Sequence, residues 1–317
     1  MSLDQLIAVD WGTSSLRAWR FDASGAVLEQ HRSDQGLLKV APGRFAAVLR
    51  TVVGDWVRDD SVVLMSGMVG SRQGWAEAPY VPAPSGAGEL AAALIEVPFD
   101  CRCHIVPGVM LRGSAAPDVM RGEETQLVGL DDDTAGGGLL ADNAPATGLA
   151  VLPGTHSKWV WRENGRITWF RTFMTGELFE LLGQHSLLAR SMAGEHIDAT
   201  GFALGLAQAR APGGLLEKLF ALRARWLCGE LGADQQRGCL SGLLLGTELH
   251  DALAALAREA GPVAAAAQRA DLIASPTLAG VYGPLLASAG LDVHIADERV
   301  AARGLQRIAL QARLISH

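Results

Sequence analysis

The N-terminal part of the chain alternates short apolar runs with turns. An apolar run at residues 6–9 ends in Asp10, a Gly12-Thr13 turn follows, and a second strand-like run covers residues 16–21. Apolar runs of this length between turn residues are typical of buried β-strands. The pattern therefore predicts a strand that delivers Asp10 to its C-terminal end, followed by a second strand of a β-meander.

The same arrangement recurs in the second half of the chain. An apolar run at residues 149–152 leads to a Gly154-Thr155 turn, and strand-like runs then flank a tight turn at residues 162–165. The first copy closes its own second hairpin with a turn at residues 22–25. Two copies of one β-meander, one in each half, predict two similar domains that face a shared cleft.

Helical and strand patterns fill the rest of the chain and predict an α/β protein. The predicted helices cover residues 45–56, 119–130, 175–188, 214–231, 238–249, 252–269 with a break at Gly261-Pro262, 278–289, and a final segment from about residue 297. The further predicted strands cover residues 61–66, 271–275 and 293–295. The strand at residues 61–66 ends at a glycine-rich loop, which we expect at the cleft because ligands bind at the carboxyl ends of strands in open α/β sheets. The small residues of the helix at 238–249 suit close packing between domains.

Composition and charge favour a globular enzyme over a nucleic-acid-binding protein. The 317 residues correspond to about two domains, and a hydrophobic content of 49% is enough for substantial cores. The formal net charge of -7 and the pI near 5.6 argue against nucleic acid or an anionic membrane as a partner. No signal peptide or membrane span is evident in the pattern, so we expect a cytoplasmic protein.

The two Gly-Thr turns carry the first candidate chemistry. Gly12 allows the backbone to approach a bulky anion, and Thr13 and Ser14 add hydroxyl donors. The carboxylate of Asp10 suits a Mg²⁺ bound to the same phosphate. For the first copy alone, a simple hairpin with Asp10 as a turn residue explains the pattern equally well. The second copy favours phosphate binding, because two such loops can hold one nucleotide from opposite sides.

Three longer motifs accompany the duplicated hairpin: MSGMVGSRQGWAEAPY at 65–80, DVMRGEETQ at 118–126 and FMTGELF at 173–179. The hairpins resemble the phosphate-1 and phosphate-2 motifs of the actin, Hsp70 and sugar-kinase ATPases. With the longer motifs, the chain resembles the 2-dehydro-3-deoxygalactonokinase family from about Ile7 to its C-terminal segment. The resemblance implies an actin-like ATPase fold, in which two similar ribonuclease-H-like domains at 1–117 and 118–317 surround a central cleft.

The resemblance also implies an activity. It implies an ATP- and Mg²⁺-dependent kinase that transfers the γ-phosphate to the C6 hydroxyl of 2-dehydro-3-deoxy-D-galactonate, in galactonate breakdown. The alternatives are a kinase of the same fold for another sugar or sugar acid, a non-catalytic sugar-sensing regulator, and an actin- or chaperone-like nucleotide switch. Asp10 and Glu123 argue against the regulator, which is expected to lack these acids. The sugar acid and ATP are the expected partners, and a homodimer is compatible with the sequence.

The residues that the resemblance implies for cofactor and substrate fall into two groups. The nucleotide and its metal are assigned to Asp10, Gly12, Thr13, Ser14, Gly154, Thr155, Ser157, Lys158 and Ser275, with Asp10 serving Mg²⁺. The substrate is assigned to Gly67, Gly70, Ser71, Arg72, Trp75 and Glu177, with Tyr80 as a weaker candidate. Arg72 is expected to bind the sugar-acid carboxylate through two parallel hydrogen bonds. For Lys158, a solvated cation on a hairpin is an equally good interpretation.

Two adjacent acids, Glu123 and Glu124, are the candidates for the general base. Related sugar kinases have a Gly-Asp-Gln-like segment here, and motif matching aligns its acid with Glu123, with glutamate in place of aspartate. The alternative is an acid pair at a helix N-terminus that is stabilised by the helix dipole. In a helix the two side chains diverge by about 100°, so only one can reach the C6 hydroxyl. Helix geometry does not choose between them; the resemblance, through motif matching, implies Glu123 as the base and leaves Glu124 to cap the helix or to bind Mg²⁺ through water.

Overall fold

The computed structural model describes residues 5–22, 24–113, 116–130, 147–192 and 196–316 of the chain. Within these ranges the strands are β1 Gln5–Trp11, β2 Leu16–Phe21, β3 Val27–Ser33, β4 Ser61–Ser66, β5 Tyr80–Pro82, β6 Ile95–Glu96, β7 Arg102–Ile105, β8 Gly108–Leu111, β9 Asp118–Met120, β10 Gly148–Leu152, β11 Ser157–Glu163, β12 Arg166–Phe173, β13 Arg269–Leu272 and β14 Asp292–Ile295. The helices are α1 Phe45–Val53, α2 Ala87–Ala92, α3 Glu123–Gly129, α4 Thr175–His185, α5 Ala199–Arg210, α6 Leu215–Leu227, α7 Ala233–Glu259, α8 Pro262–Ala265, α9 Pro276–Ser288 and α10 Val300–Gln311. The mixed α/β class predicted from the apolar pattern is confirmed.

The first sheet brings Asp10 to a strand end beside the glycine-rich loop. Its six strands lie in the order β3-β2-β1-β4-β7-β6. Strand β1 pairs antiparallel with β2, which sets Asp10 opposite Arg17, and parallel with β4, which sets Asp10 beside Ser66. Because neighbouring parallel strands end at the same edge of a sheet, Asp10 and the loop after Ser66 share that edge.

The second sheet repeats this topology. Its five strands lie in the order β12-β11-β10-β13-β14. In each sheet an antiparallel three-strand meander is followed by two parallel strands, β4 and β7 in the first and β13 and β14 in the second. The two hairpin motifs of the sequence therefore begin two sheets that share the order and directions of five strands, and β6 extends the first sheet alone. A smaller third sheet has the order β5-β8-β9.

Alternation along β1 divides the apolar core into two clusters. Ile7 and Val9 face a cluster that includes the buried residues of α1, whereas Leu6 and Ala8 face a cluster that continues to the second sheet. All four side chains are at most 2% exposed. Because successive strand residues point to opposite faces, both faces of the first sheet are covered, which leaves its strand-end edge for a ligand.

Helix α3, whose N-terminus reaches the cleft, is held by the C-terminal helix α10. A Cβ atom on Gly129 would lie 1.9 Å from the carbonyl oxygen of Val300, and one on Gly304 would lie 1.8 Å from that of Thr125. Both positions therefore require glycine for the two helix backbones to meet. Helix α10 also packs on β1, so the last helix of the chain joins α3 to the first sheet.

The glycine-rich helix predicted at 238–249 is part of the longer α7. It packs closely, as expected, but its partner is α5: a Cβ on Gly242 would lie 2.1 Å from the carbonyl oxygen of Phe202. Helix α5 carries Gly201 and Gly205 at the same spacing, which lets both backbones approach. Helix α7 is long and apolar enough to cross a membrane, yet 72% of its apolar window is buried in the protein, which is typical of a core helix.

Several predicted boundaries are wrong. The helix predicted at 119–130 begins only at Glu123, because residues 118–120 pair with β8 as a strand. The helix predicted at 252–269 ends at Glu259; its predicted break at Gly261-Pro262 is confirmed, and only the short helix α8 follows the break. The strand predicted at 271–275 runs from Arg269 to Leu272, where it pairs with β10 and β14. For the two strands, pairing with a distant strand, which local periodicity does not contain, decides the boundary.

Candidate functional site

A cavity of about 350 Å³ lies where the ends of β1 and β10 meet. Of the residues that the sequence predicts for the site, it is lined by Asp10, Gly12, Thr13, Gly67, Glu123, Gly154 and Thr155. Both Gly-Thr turns therefore open onto one space, together with one of the two candidate bases. The structure brings these seven residues together from four separate parts of the chain.

The first Gly-Thr turn is a closed loop, and its Gly12 and Thr13 line the cavity. The main-chain N–H of Gly12 donates to the carbonyl of Ser15 at 2.9 Å. The carbonyls of Gly12 and Thr13 accept from Leu37 and Leu38, at 3.0 and 3.2 Å, so a neighbouring segment braces the loop. The loop is thus held in one conformation by main-chain hydrogen bonds. Ser14, predicted to bind the cofactor, is exposed and does not line the cavity.

The carboxylate of Asp10 is oriented by a cation and faces a glycine. Its Oδ2 accepts from Arg17 Nη2 at 2.5 Å. Gly67 has a φ of 94°, and a Cβ at this position would lie 2.7 Å from the carbonyl oxygen of Trp11 and 3.5 Å from Asp10 Oδ1. Only glycine fits both that backbone conformation and that space. Gly67 therefore keeps room beside the second oxygen of Asp10.

The second Gly-Thr turn is supported by the N-terminus of α4. A Cβ on Gly176 would lie 2.4 Å from the carbonyl oxygen of Gly154, so this glycine lets the helix lie directly on the turn. The N–H of Glu177 donates to the carbonyl of Thr155 at 3.0 Å. The Glu177 carboxylate lies 2.5 Å from Nε2 of His156, a cavity residue. Glu177, predicted to contact substrate, is thus outside the cavity lining and orients a residue that belongs to it.

Glu123 lines the cavity and is held there by two partners. Its Oε1 lies 3.0 Å from Nζ of Lys158, and its Oε2 accepts from the main-chain N–H of Arg121 at 3.1 Å. The Lys158 side chain is only 6% exposed, so the interpretation of Lys158 as a solvated cation is wrong. A buried ammonium requires a partner, and Glu123 together with the carbonyl of His156 at 3.3 Å provides it.

Glu124 is turned away from the cavity and is fully buried. Both of its oxygens accept from the main-chain N–H of Gly122, at 2.8 and 2.7 Å, and Thr125 Oγ1 lies 3.4 Å away. Burial, and then the neighbouring charge of Glu123, raise the pKa of Glu124 to about 8. Glu124 therefore caps the start of α3, and of the two acids Glu123 alone lines the cavity.

Two further predicted nucleotide contacts point elsewhere. The Ser157 hydroxyl is buried and lies 2.9 Å from the hydroxyl of Tyr282, which donates to Glu248 at 3.0 Å. Burial raises the pKa of the Glu248 carboxyl, and hydrogen bonds from Ser157, Tyr282 and Trp159 oppose that rise. Ser275 is exposed, and its hydroxyl caps α9 by accepting from the N–H of Leu278 at 3.4 Å. In this structure both serines fix elements that surround the cavity.

A second cavity, of about 320 Å³, adjoins the first. It is lined by Ser71, Arg72, Gln73, Glu77, Tyr80 and Arg121. The Arg72 side chain is 86% exposed and lies 3.4 Å from the carboxylate of Glu77, so its charge already has a partner. Gly70 is buried beneath Arg121, since a Cβ there would lie 3.0 Å from Arg121 Nη1.

Trp75 belongs to the apolar core next to the second cavity. Its ring stacks on Phe45 at 6.4 Å and meets Phe99 edge-on at 6.2 Å. Trp75 lines neither cavity; it packs against the apolar core that includes Phe45. The motif around Trp75 does not predict this packing, because its aromatic partners Phe45 and Phe99 come from distant parts of the sequence.

Arg121 is a residue of both cavities to which the sequence assigns no role. Its Nη2 donates to the carbonyl of Ala78 at 2.8 Å, and its guanidinium lies over the Tyr80 ring at 4.3 Å. Its Nε and Nη1 are buried without a hydrogen-bond partner among the described residues. In the sequence, the one feature that points to a role for Arg121 is its position two residues before Glu123, inside one of the three long motifs.

Nearly the whole chain is similar to one known protein family. A family model described as 2-keto-3-deoxy-galactonokinase matches residues 10–308. The chain is 36% identical over 302 residues to the Rhizobium meliloti (strain 1021) protein named "Probable 2-dehydro-3-deoxygalactonokinase DgoK1", covering 93% of each chain. It is 34% identical over 304 residues to the 2-dehydro-3-deoxygalactonokinase of Escherichia coli (strain K12), covering 96% of this chain and 97% of that one.

A solved structure shows the same similarity in three dimensions. The crystal structure of a candidate 2-dehydro-3-deoxygalactonokinase protein from Sinorhizobium meliloti matches with a TM-score of 0.82 at 35% identity. The match covers 96% of this chain and 98% of that chain. Sequence and structure similarity therefore both extend over nearly the full length.

Proposed function

Because this chain belongs to the 2-keto-3-deoxy-galactonokinase family, we propose that it is an ATP-dependent kinase of 2-dehydro-3-deoxy-D-galactonate. The transferred group is the γ-phosphate and the acceptor is the C6 hydroxyl. Such a kinase is a phosphotransferase with an alcohol acceptor, and it acts in galactonate catabolism. The two curated relatives carry this activity in their names.

One observation carries the proposal at the level of the site. A single cavity is lined by two Gly-Thr turns and by the carboxylates of Asp10 and Glu123. Main-chain N–H groups and hydroxyls at such turns suit phosphate oxygens, and a carboxylate at a strand end suits a divalent cation. Phosphoryl transfer requires these two features and a group that orients or deprotonates the acceptor.

We assign the proton acceptor to Glu123. Its carboxylate lies in the cavity, held between the ammonium of Lys158 and the main-chain N–H of Arg121. A base fixed at two points can hold the C6 hydroxyl in line with the γ-phosphate. We also propose that Lys158 interacts with the phosphates of ATP; its ammonium lies 3.3 Å from the carbonyl of His156, next to the second Gly-Thr turn, which supports this role.

Asp10 is the residue that would hold Mg²⁺. Its donor set fits, because Gly67 leaves space beside Oδ1 while Oδ2 is occupied by Arg17. Bound there, Mg²⁺ would neutralise charge on the ATP phosphates. No group of three or more His, Cys, Asp or Glu in the described part of the chain forms a metal cage. This agrees with Mg²⁺, which is usually held by one or two carboxylates together with phosphate oxygens and water.

The common strand order of the two sheets supports a duplicated, actin-like architecture. We propose two ribonuclease-H-like halves, at residues 1–117 and 118–317, that close around ATP and the sugar acid. Closure would exclude water from the transferred phosphoryl group. We propose a cytoplasmic location for the protein, in keeping with its ATP dependence, and a homodimer stays a prediction.

The direct test is an ADP-release assay with the 2-keto-3-deoxy acids derived from galactonate and from gluconate. We expect turnover of the galactonate-derived acid, with preference over its gluconate-derived epimer.

Glu123→Gln should lower kcat by about a hundredfold or more while ATP and sugar-acid binding are retained. Glu124→Gln is the matched control and should cost much less in kcat. The reverse ranking would refute Glu123 as the base, and absent ADP release with every acid would refute the proposed kinase.

A further inference from the structure

The second cavity contains a cation, Arg121, that forms no ion pair with an acidic side chain of the described residues. Arg72 is ion-paired with Glu77 in this cavity, but no carboxylate in the described ranges forms an ion pair with the guanidinium of Arg121. Glu123 accepts from the main-chain N–H of Arg121 and pairs with Lys158. The remaining nearby acid, Glu124, has a pKa raised to about 8 and is mostly neutral at pH 7.

The guanidinium of Arg121 is also held rigidly. Nη2 is fixed by the carbonyl of Ala78, one face lies over Tyr80, and the backbone of Gly70 lies beneath Nη1. Nε and Nη1 are buried without a partner among the described residues. An unpaired, partly desolvated charge of this kind attracts an anion more strongly than an exposed arginine does, because the local dielectric is low.

The position of Arg121 connects the second cavity to the reacting end of the site. Of the described residues, only Arg121 lines both cavities. Its main-chain N–H donates to Oε2 of Glu123 at 3.1 Å, so the residue that carries the cation also holds the base. In the second cavity, the Ser71 hydroxyl is likewise buried without a partner in the described part of the chain, and Gln73 adds an amide.

We infer that Arg121, rather than Arg72, binds the carboxylate of the sugar acid and thereby sets which hydroxyl is phosphorylated. The inference rests on the proposed kinase function. With the C1 carboxylate at Arg121 in the second cavity, the carbon chain extends into the first cavity and its far end, C6, reaches Glu123. A neutral sugar would offer no carboxylate to Arg121, and an acid with a shorter chain would not reach Arg121 and Glu123 at the same time.

The experiment compares an acid with its neutral counterpart. The substrates are 2-dehydro-3-deoxy-D-galactonate and its C1 amide, and the enzymes are wild type, Arg121→Gln, Arg121→Lys and the control Arg72→Gln. We expect wild type to favour the acid by about 10- to 100-fold in kcat/KM, the range of a charge-assisted hydrogen-bonded contact. Arg121→Gln should remove most of this preference, with a KM for ATP within about twofold of wild type. Arg121→Lys should keep part of the preference for the acid over the amide, and Arg72→Gln should keep nearly all of it.

Three results would overturn the inference. One is a wild-type enzyme that uses acid and amide equally well; this result does not depend on whether any variant folds. Another is an Arg121→Gln enzyme with the wild-type preference, and the third is a preference lost in Arg72→Gln but kept in Arg121→Gln. Calorimetric titration of each folded variant with the acid, in the absence of ATP, measures acid binding separately from phosphoryl transfer. Acid binding that depends on Arg121 without any ADP release would sink the kinase proposal and leave the anion site standing.

Discussion

The buried carboxyl of Glu124 makes the stability of this protein depend on pH. Burial and, after it, the charge of Glu123 raise the pKa of Glu124 from 4.5 to about 8. Between these two values the folded protein keeps a proton that the unfolded chain has lost. Wherever the folded state binds more protons than the unfolded state, the free energy of unfolding falls as pH rises.

The magnitude follows from the difference between the two pKa values. Each pKa unit corresponds to about 1.4 kcal/mol, so Glu124 should cost about 3–5 kcal/mol of stability in total between about pH 4.5 and pH 8. Glu124→Gln has nearly the shape of the protonated acid and does not titrate. The free energy of unfolding of wild type relative to this variant should therefore fall by that amount across the window.

Urea unfolding at about pH 5, 6.5 and 8 measures this difference, and other titrating groups cancel in it. Glu123→Gln is the internal control, because it removes the second cause of the raised pKa of Glu124. In that background the fall in stability should end at a lower pH. If the stabilities of wild type and Glu124→Gln run parallel over the whole range, Glu124 does not titrate there and the argument from burial is wrong.

Two other substitutions test the site and the packing behind it. Asp10→Asn should lower turnover by at least about a hundredfold, because a neutral amide is a poor ligand for Mg²⁺, with little change in Tm; near-normal turnover at saturating Mg²⁺ would remove Asp10 from the mechanism. Gly304→Ala should cost about 3 kcal/mol or more by denaturant unfolding, because its Cβ would lie 1.8 Å from the carbonyl oxygen of Thr125. Gly280→Ala, a helical control with nothing within 4 Å, should be neutral or stabilise by about 0.5–1 kcal/mol, and an equal loss at both positions would contradict the packing argument.

The local pattern of the sequence determined a large part of the framework. The strand that ends near Asp10, the strand at 61–66 and the helix that begins at Thr175 follow from apolar periodicity over a few residues. The two Gly-Thr turns were also readable, because tight turns depend on neighbouring residues. The helix starting at Glu123 was misplaced by several residues, since strand pairing of residues 118–120 is a long-range event.

Only the tertiary structure decided which side chains face the cavity. Glu123 and Glu124 are adjacent and chemically identical, yet one pairs with Lys158 in the cavity and the other is buried against the main chain of Gly122. The same holds for Arg121 and Arg72, whose difference lies in their partners and exposure. A sequence motif specifies residue types and local backbone. Burial, charge pairing and pKa depend on groups that folding brings together from distant parts of the chain, and for that reason they could be read only from the fold.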